Sequence, residues 1–211
     1  MAVLSFNKQK GSAKKEVYEM KPDLNSVRLV GGILPRYVYW LSVDGKAIPM
    51  ECLEFNRDTE IFDKAEKDYV REFFPDVRNA SWGYIATVID LSDGKIKPFF
   101  LKKKLWDQIC AAAADGLGDP TDPETGWDVI FTRVKTGSSR MNVEYRLNVL
   151  KCKARPLTEE ERETLKELPD LEKLYPRPTP EEQKKSLEEL RDGEKSETAD
   201  EGIDSEFNDL A

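Results

Sequence analysis

Residues 94–109 read GKIKPFFLKKKLWDQI. Phe99 and Leu101 alternate as one side of a strand, whereas Leu105, Ile109 and Ala112 recur at helical spacing. The stretch is thus a strand running into a helix, which begins at about Lys103 and ends before Gly116 and Gly118. It carries five lysines, Lys95, Lys97, Lys102, Lys103 and Lys104, with no acidic residue before Asp107. Phe99, Phe100 and Trp106 stand among them. Ammonium groups attract phosphates and aromatic faces stack on unpaired bases, so the combination suits single-stranded nucleic acid. The lysines read equally well as the solvated face of a buried element. Trp106 and Ile109 read as core.

Working outward, residues 82–91 form the preceding strand, with Ile85, Thr87, Ile89 and Leu91 on one face and Trp82, Tyr84, Ala86 and Val88 on the other. Ser92-Asp93-Gly94 turns it back. Residues 127–135 and 140–155 form a last pair of strands, and a slip of period at Val149-Leu150 predicts a β-bulge that keeps Leu150, Cys152 and Ala154 on the apolar side. Upstream, residues 27–34 are a strand interrupted at Gly31-Gly32 by a bulge or bend. Asp44-Gly45 joins two β-rich runs as a hairpin. Residues 58–74 show helical spacing of Ile61, Phe62, Ala65, Tyr69 and Phe73, stopped by Pro75.

Five curved strands with a helix late in the order predict a mainly β chain built on an OB-fold, a small five-stranded barrel. Its concave face would gather aromatic and basic side chains. The candidate phosphate contacts are Lys95, Lys97, Lys102, Lys103, Lys104, Arg133, Lys135, Arg140 and Arg146. The candidate stacking rings are Tyr37, Tyr39, Trp82, Tyr84, Phe99 and Phe131, each of which also reads singly as core.

The net charge of -8 hides an asymmetry. Residues 156–211 hold 8 basic and 19 acidic residues, leaving 25 basic and 22 acidic in the other 155. An acidic extension is attached to a mildly basic body. The expected division is a basic N-terminal arm over 1–21, the barrel over 22–155, a polar helical extension over 156–192 packing lightly on the body, and a disordered acidic tail over 193–211. Thr158 with Glu161 forms a capping box at the start of the extension. The chain has no histidine, and Cys52, Cys110 and Cys152 are scattered. A Cys/His zinc site and His-dependent catalysis are therefore excluded, no cofactor or metal is expected, and a reducing, cytoplasmic setting follows. No apolar run reaches the ~20 residues of a membrane helix.

The run GKIKPFFLKKKLWDQI, preceded by SWGYIATVID at 81–90 and followed by GWDVIFTRVKTGS at 126–138, resembles the core of the single-stranded DNA-binding (helix-destabilising) proteins of T4-like phages. The order of basic arm, core and acidic tail ending Phe207-Asn208-Asp209-Leu210 is also similar. The resemblance implies sequence-tolerant binding of single-stranded DNA in phage replication, recombination and repair, in the host cytoplasm, with self-association on DNA. It also implies a tail, through Asp204, Glu206, Phe207, Asp209 and Leu210, that recruits replication and recombination proteins and competes with DNA. The zinc insert of that family has no counterpart here. Two other readings stay open. One is a protein-binding OB-like adaptor, and the other a metal-dependent nuclease using Asp90, Asp93, Asp107 and Asp128.

Overall fold

The computed structural model describes residues 16–138 and 142–197, and only the backbone of 193–197. The expectations for the arm over 1–15, for Arg140 and for the tail residues Asp204, Glu206, Phe207, Asp209 and Leu210 lie outside the described residues. The strands are β1 (Leu24–Leu34), β2 (Tyr37–Val43), β3 (Lys46–Glu51), β4 (Phe55–Asn56), β5 (Ile61–Phe62), β6 (Ser81–Trp82), β7 (Ile85–Asp90), β8 (Ile96–Phe100), β9 (Asp128–Lys135) and β10 (Val143–Leu147). The helices are α1 (Val70–Phe73), α2 (Lys103–Ala112), α3 (Glu159–Thr164), α4 (Leu171–Leu174) and α5 (Pro180–Glu197).

The main sheet is antiparallel, in the order β10-β9-β1-β7-β8. Its central strand bulges as the glycines require: Val30 pairs with Thr87, Gly31 and Gly32 are passed over, and Ile33 pairs with Ala86. Gly31 sits at a φ of 69°, a conformation other residues adopt only with strain. The Asp44-Gly45 hairpin also forms, both residues having positive φ.

The expected barrel is not closed. Closure would pair β8 with β10, and among the described residues no ladder joins them. The helix that follows β8 lies across that seam instead. Gln108 on α2 donates to the Tyr145 carbonyl at 2.9 Å and accepts the Leu147 N–H at 2.9 Å, so a side-chain amide takes up the free edge of β10. The free edge of β8 carries Pro98, which has no N–H to pair, and its carbonyl accepts from the backbone of Tyr18 at 2.9 Å. Residues 16–21, expected as part of an arm, therefore lie on the body, with Tyr18 buried edge-on against Phe99.

Leu105, Ile109 and Ala112 of α2 are buried as their spacing predicts, against Val27, Val88, Val129 and Phe131 of the sheet. Three other expectations are corrected. The helix expected over 58–74 is reduced to α1. Asn56 Oδ1 accepts the N–H groups of Asp58 and Thr59, and Asp63 Oδ1 that of Ala65, so side chains divert the backbone into turns. The long strand expected after Arg140 ends at Leu147, and the Val149–Lys151 turn leaves Leu150 exposed.

The C-terminal extension does not pack lightly. Residues 37–82 form a lobe between β1 and β7, and α5 completes its core with Leu187. Buried Gln183 donates to the Glu51 carbonyl at 2.9 Å and accepts the Tyr69 N–H at 2.8 Å. Arg177 donates to the Phe55 and Leu53 carbonyls. Further up, Leu171 covers Leu34 and Ile85 on the outer face of the main sheet.

The turn between β7 and β8 is held by Lys97, whose buried ammonium meets Asp90 at 2.8 Å and Asp93 at 2.6 Å. Burial alone would raise the Asp90 carboxyl. The hydrogen bonds from Lys97 and Ser92 overcome it and hold the pKa at about 2, below the ordinary 3.8.

Leu187→Ala is expected to cost ~2–5 kcal/mol in urea unfolding, while Leu150→Ala, at a site 95% exposed, changes stability by less than ~0.5 kcal/mol. Neutral behaviour of both would mean that α5 only leans on the body. Because the folded pKa of Asp90 lies below its unfolded value, its contribution is present above 3.8 and is lost as pH falls toward about 2. In Lys97→Met the protein is expected to be less stable at neutral pH, with a flatter loss of the unfolding midpoint across that window. An unchanged acid profile would show that the ion pair does not set it.

Candidate nucleic-acid interface

The lobe and the main sheet meet along a row of aromatic side chains. Phe55 and Phe62 flank Tyr37 at ring separations of 4.8 and 4.9 Å, and Tyr37 meets Trp82 edge-on at 6.4 Å. Trp82 stacks on Tyr84, with centroids 3.4 Å apart and planes 19° from parallel. The row exists because the strand expected over 82–91 breaks at Gly83, where a Cβ would press on Val38 at 3.2 Å, separating β6 from β7. Trp82 thus pairs with Tyr37 across the lobe while its indole N–H donates to the Leu101 carbonyl at 3.0 Å. The outer end of the row, Phe62, is 50% exposed.

Beyond Trp82 the row opens into a cavity of about 390 Å³ at the β1 bulge. Trp82, Tyr84, Trp106 and Ile33 supply its apolar wall, and Glu60 and Thr121 its polar groups. The Tyr84 hydroxyl donates to Glu60 Oε2 at 2.7 Å. Burial, with the Glu60 carboxylate beside it, pushes that phenol well above the usual range.

The cations sort into two groups. Four are engaged. Lys97 is consumed by its turn, Lys95 meets Glu16 at 3.3 Å, and Arg146 is clamped by Glu144 at 2.6 Å. Lys103 meets Asp107 at 2.9 Å and also sits 5.6 Å from the centre of the Trp82 ring. Lys102 follows the residue whose carbonyl holds that indole. Burial, and then the nearby Arg133 guanidinium, pull its pKa down. Among the described residues neither Lys102 nor Arg133 forms an ion pair; Arg133 reaches the Met20 carbonyl, at 3.5 Å, and the hydroxyl of Tyr145. Lys104 and Lys135 are exposed, Lys135 at the far end of β9.

Of the rings proposed to stack on bases, Tyr37, Trp82 and Tyr84 belong to the row. Phe99 and Phe131 do not: they pack 6.0 Å apart in the core of the main sheet, and Tyr39 is buried in the lobe beside Cys52. Inward alternation on a strand gives rings to a core as readily as to a groove. Two residues of the site carry no sequence signal for it. Trp106 follows Leu105 on α2 and lies one step off the buried stripe, where it is half-buried and lines the cavity. Phe62 has helical spacing in the sequence but lies in β5. Asp90, Asp93, Asp107 and Asp128 each pair with a lysine or arginine, and among the described residues no three acidic, Cys or His side chains gather as a metal site. No helix among them is long and apolar enough to cross a membrane.

No family model matches this chain. It is similar to a curated protein of Escherichia phage T5 named "Probable ssDNA-binding protein", with 41% identity over 101 residues, covering 42% of this chain and 39% of that one. The chain thus matches about two fifths of the length of that relative.

Proposed function

We propose that this protein binds single-stranded DNA with little sequence preference and without catalysis, along the row from Phe62 through Tyr37 and Trp82 to Lys102, Lys103 and Arg133. One observation carries the reading. Lys102, next in the chain to the residue that holds the half-buried Trp82 indole, is partly desolvated within reach of the Arg133 charge, and neither cation has a carboxylate partner among the described residues. Two neighbouring cations held that way destabilise each other until an anion arrives. A phosphate backbone supplies the anion, and its unpaired bases supply partners for the rings. Lys104 and Lys135 would extend the track to more phosphates.

The resemblance to the phage T5 protein supports the same ligand. The strand order, with α2 between the third and fourth strands of the main sheet, supports an OB-type framework left open at the seam that α2 crosses. On that reading the chain serves phage replication, recombination and repair inside the host cell. On sequence grounds the acidic tail over 193–211 would recruit partner proteins and compete with DNA.

The test is anisotropy titration of labelled oligo-dT over a salt series, against duplex of equal length. Wild type is expected to bind the single strand with a steep salt dependence and the duplex weakly. Lys102→Met should lower the salt slope by about 0.7 while leaving the unfolding midpoint unchanged or raised, because a like-charge repulsion is removed. Phe62→Ala should cost ~1–3 kcal/mol of affinity at unchanged stability. Absence of oligonucleotide binding at low salt would overturn the reading and favour a protein-binding role.

A further inference from the structure

The cavity at the β1 bulge differs from the rest of the row in containing a carboxylate. Glu60 is held there by the Tyr84 hydroxyl at 2.7 Å and pairs with no lysine or arginine among the described residues. An unneutralised acid is an odd neighbour for a polyanion, and repulsion would disfavour it unless it makes a specific contact. The other polar groups of the wall narrow what that contact can be. Thr121 donates its hydroxyl to Asp119 Oδ1 at 2.8 Å, and the Trp82 N–H is given to Leu101, so neither has a proton to offer a ligand. The wall thus offers acceptors, from Glu60 and Thr121, and the indole of Trp106, whose N–H has no hydrogen-bond acceptor among the described residues.

We propose that this cavity takes one unstacked guanine of the bound strand; the proposal rests on the single-stranded DNA reading above. Three of the lining side chains are aromatic, and 390 Å³ is within the ~300–1,000 Å³ typical of small-ligand pockets. An ionised carboxylate only accepts hydrogen bonds. Guanine is the base whose Watson–Crick edge presents two adjacent donors, N1–H and the 2-amino group, beside one acceptor, O6. Those match Glu60 and the Trp106 N–H in kind and number. Cytosine and adenine offer one donor group on that edge, and thymine sets a single donor between two acceptors that a carboxylate repels. With Lys103 over the Trp82 face to meet the adjoining phosphate, the site would read one base in an otherwise tolerant footprint.

The test compares oligo-dT with the same oligonucleotide carrying one central guanine, or hypoxanthine, which lacks the 2-amino group. Wild type is expected to bind the guanine oligonucleotide about tenfold more tightly than oligo-dT, the order of one bidentate base contact, with hypoxanthine in between. Glu60→Gln keeps an acceptor for Tyr84 and is expected to abolish the guanine advantage while binding oligo-dT at least as well as wild type. Oligo-dT binding with no guanine advantage in wild type, or an advantage that survives in Glu60→Gln, would overturn the guanine site and leave the single-strand reading intact. No binding of oligo-dT would overturn both.

Discussion

The fold turns on β1, the central strand of the main sheet, and on the bulge at Gly31-Gly32. Its first half pairs with β9 and β7 at once, from Val27 to Arg28, while beyond the bulge only β7 continues beside it. Two residues without partners re-aim the strand. The chain can then leave the sheet to build the lobe over 37–82 and return as β7 in the register that buries Ala86 and Val88. Gly31 also lines the cavity together with Trp82 and Trp106. Fold and candidate interface thus meet at this bulge.

A second constraint comes from the seam opposite. With β8 and β10 unpaired, the sheet has two edges to protect, and different devices do so: Gln108 for β10, and Pro98 with the Tyr18 segment for β8. Using α2 as the bridge sets its first turn between Trp82 and Arg133. The lysines of that turn are therefore placed by a structural need, yet Lys102 and Arg133 are left uncompensated. Other partly or fully buried charges have close carboxylate or guanidinium partners. Glu51 is met by Arg57 at 2.6 Å, and Arg155 by Asp128 and Glu161, both at 2.7 Å.

Sequence pattern alone reached the bulge, the Asp-Gly hairpin, the α2 stripe and the Thr158 capping box, because each is governed by neighbours in the chain. What it missed depends on distant partners. Five lysines look alike in sequence, yet Lys97 is fixed by Asp90 and Asp93 while Lys102 faces another cation. Phe99 and Trp82 are both strand aromatics, and only the pairing of β6 with β2 brings one to the surface. The firm docking of α5 was hidden because its helix is polar except for Leu187 and Leu190, and much of its hold comes from Gln183 and the preceding Arg177 reaching backbone carbonyls of the lobe. Polar side chains that serve a remote backbone carry no periodic signal.

The most direct test of the account is photo-crosslinking of the full chain to an oligonucleotide carrying 5-iodouracil at successive positions, with the attached peptides mapped by mass spectrometry. The account predicts crosslinks concentrated on Phe62, Tyr37, Trp82 and Trp106, in an order that follows the row as the iodinated position moves along the strand. Crosslinks confined to surfaces away from that row, such as the Val149–Lys151 turn, would contradict it.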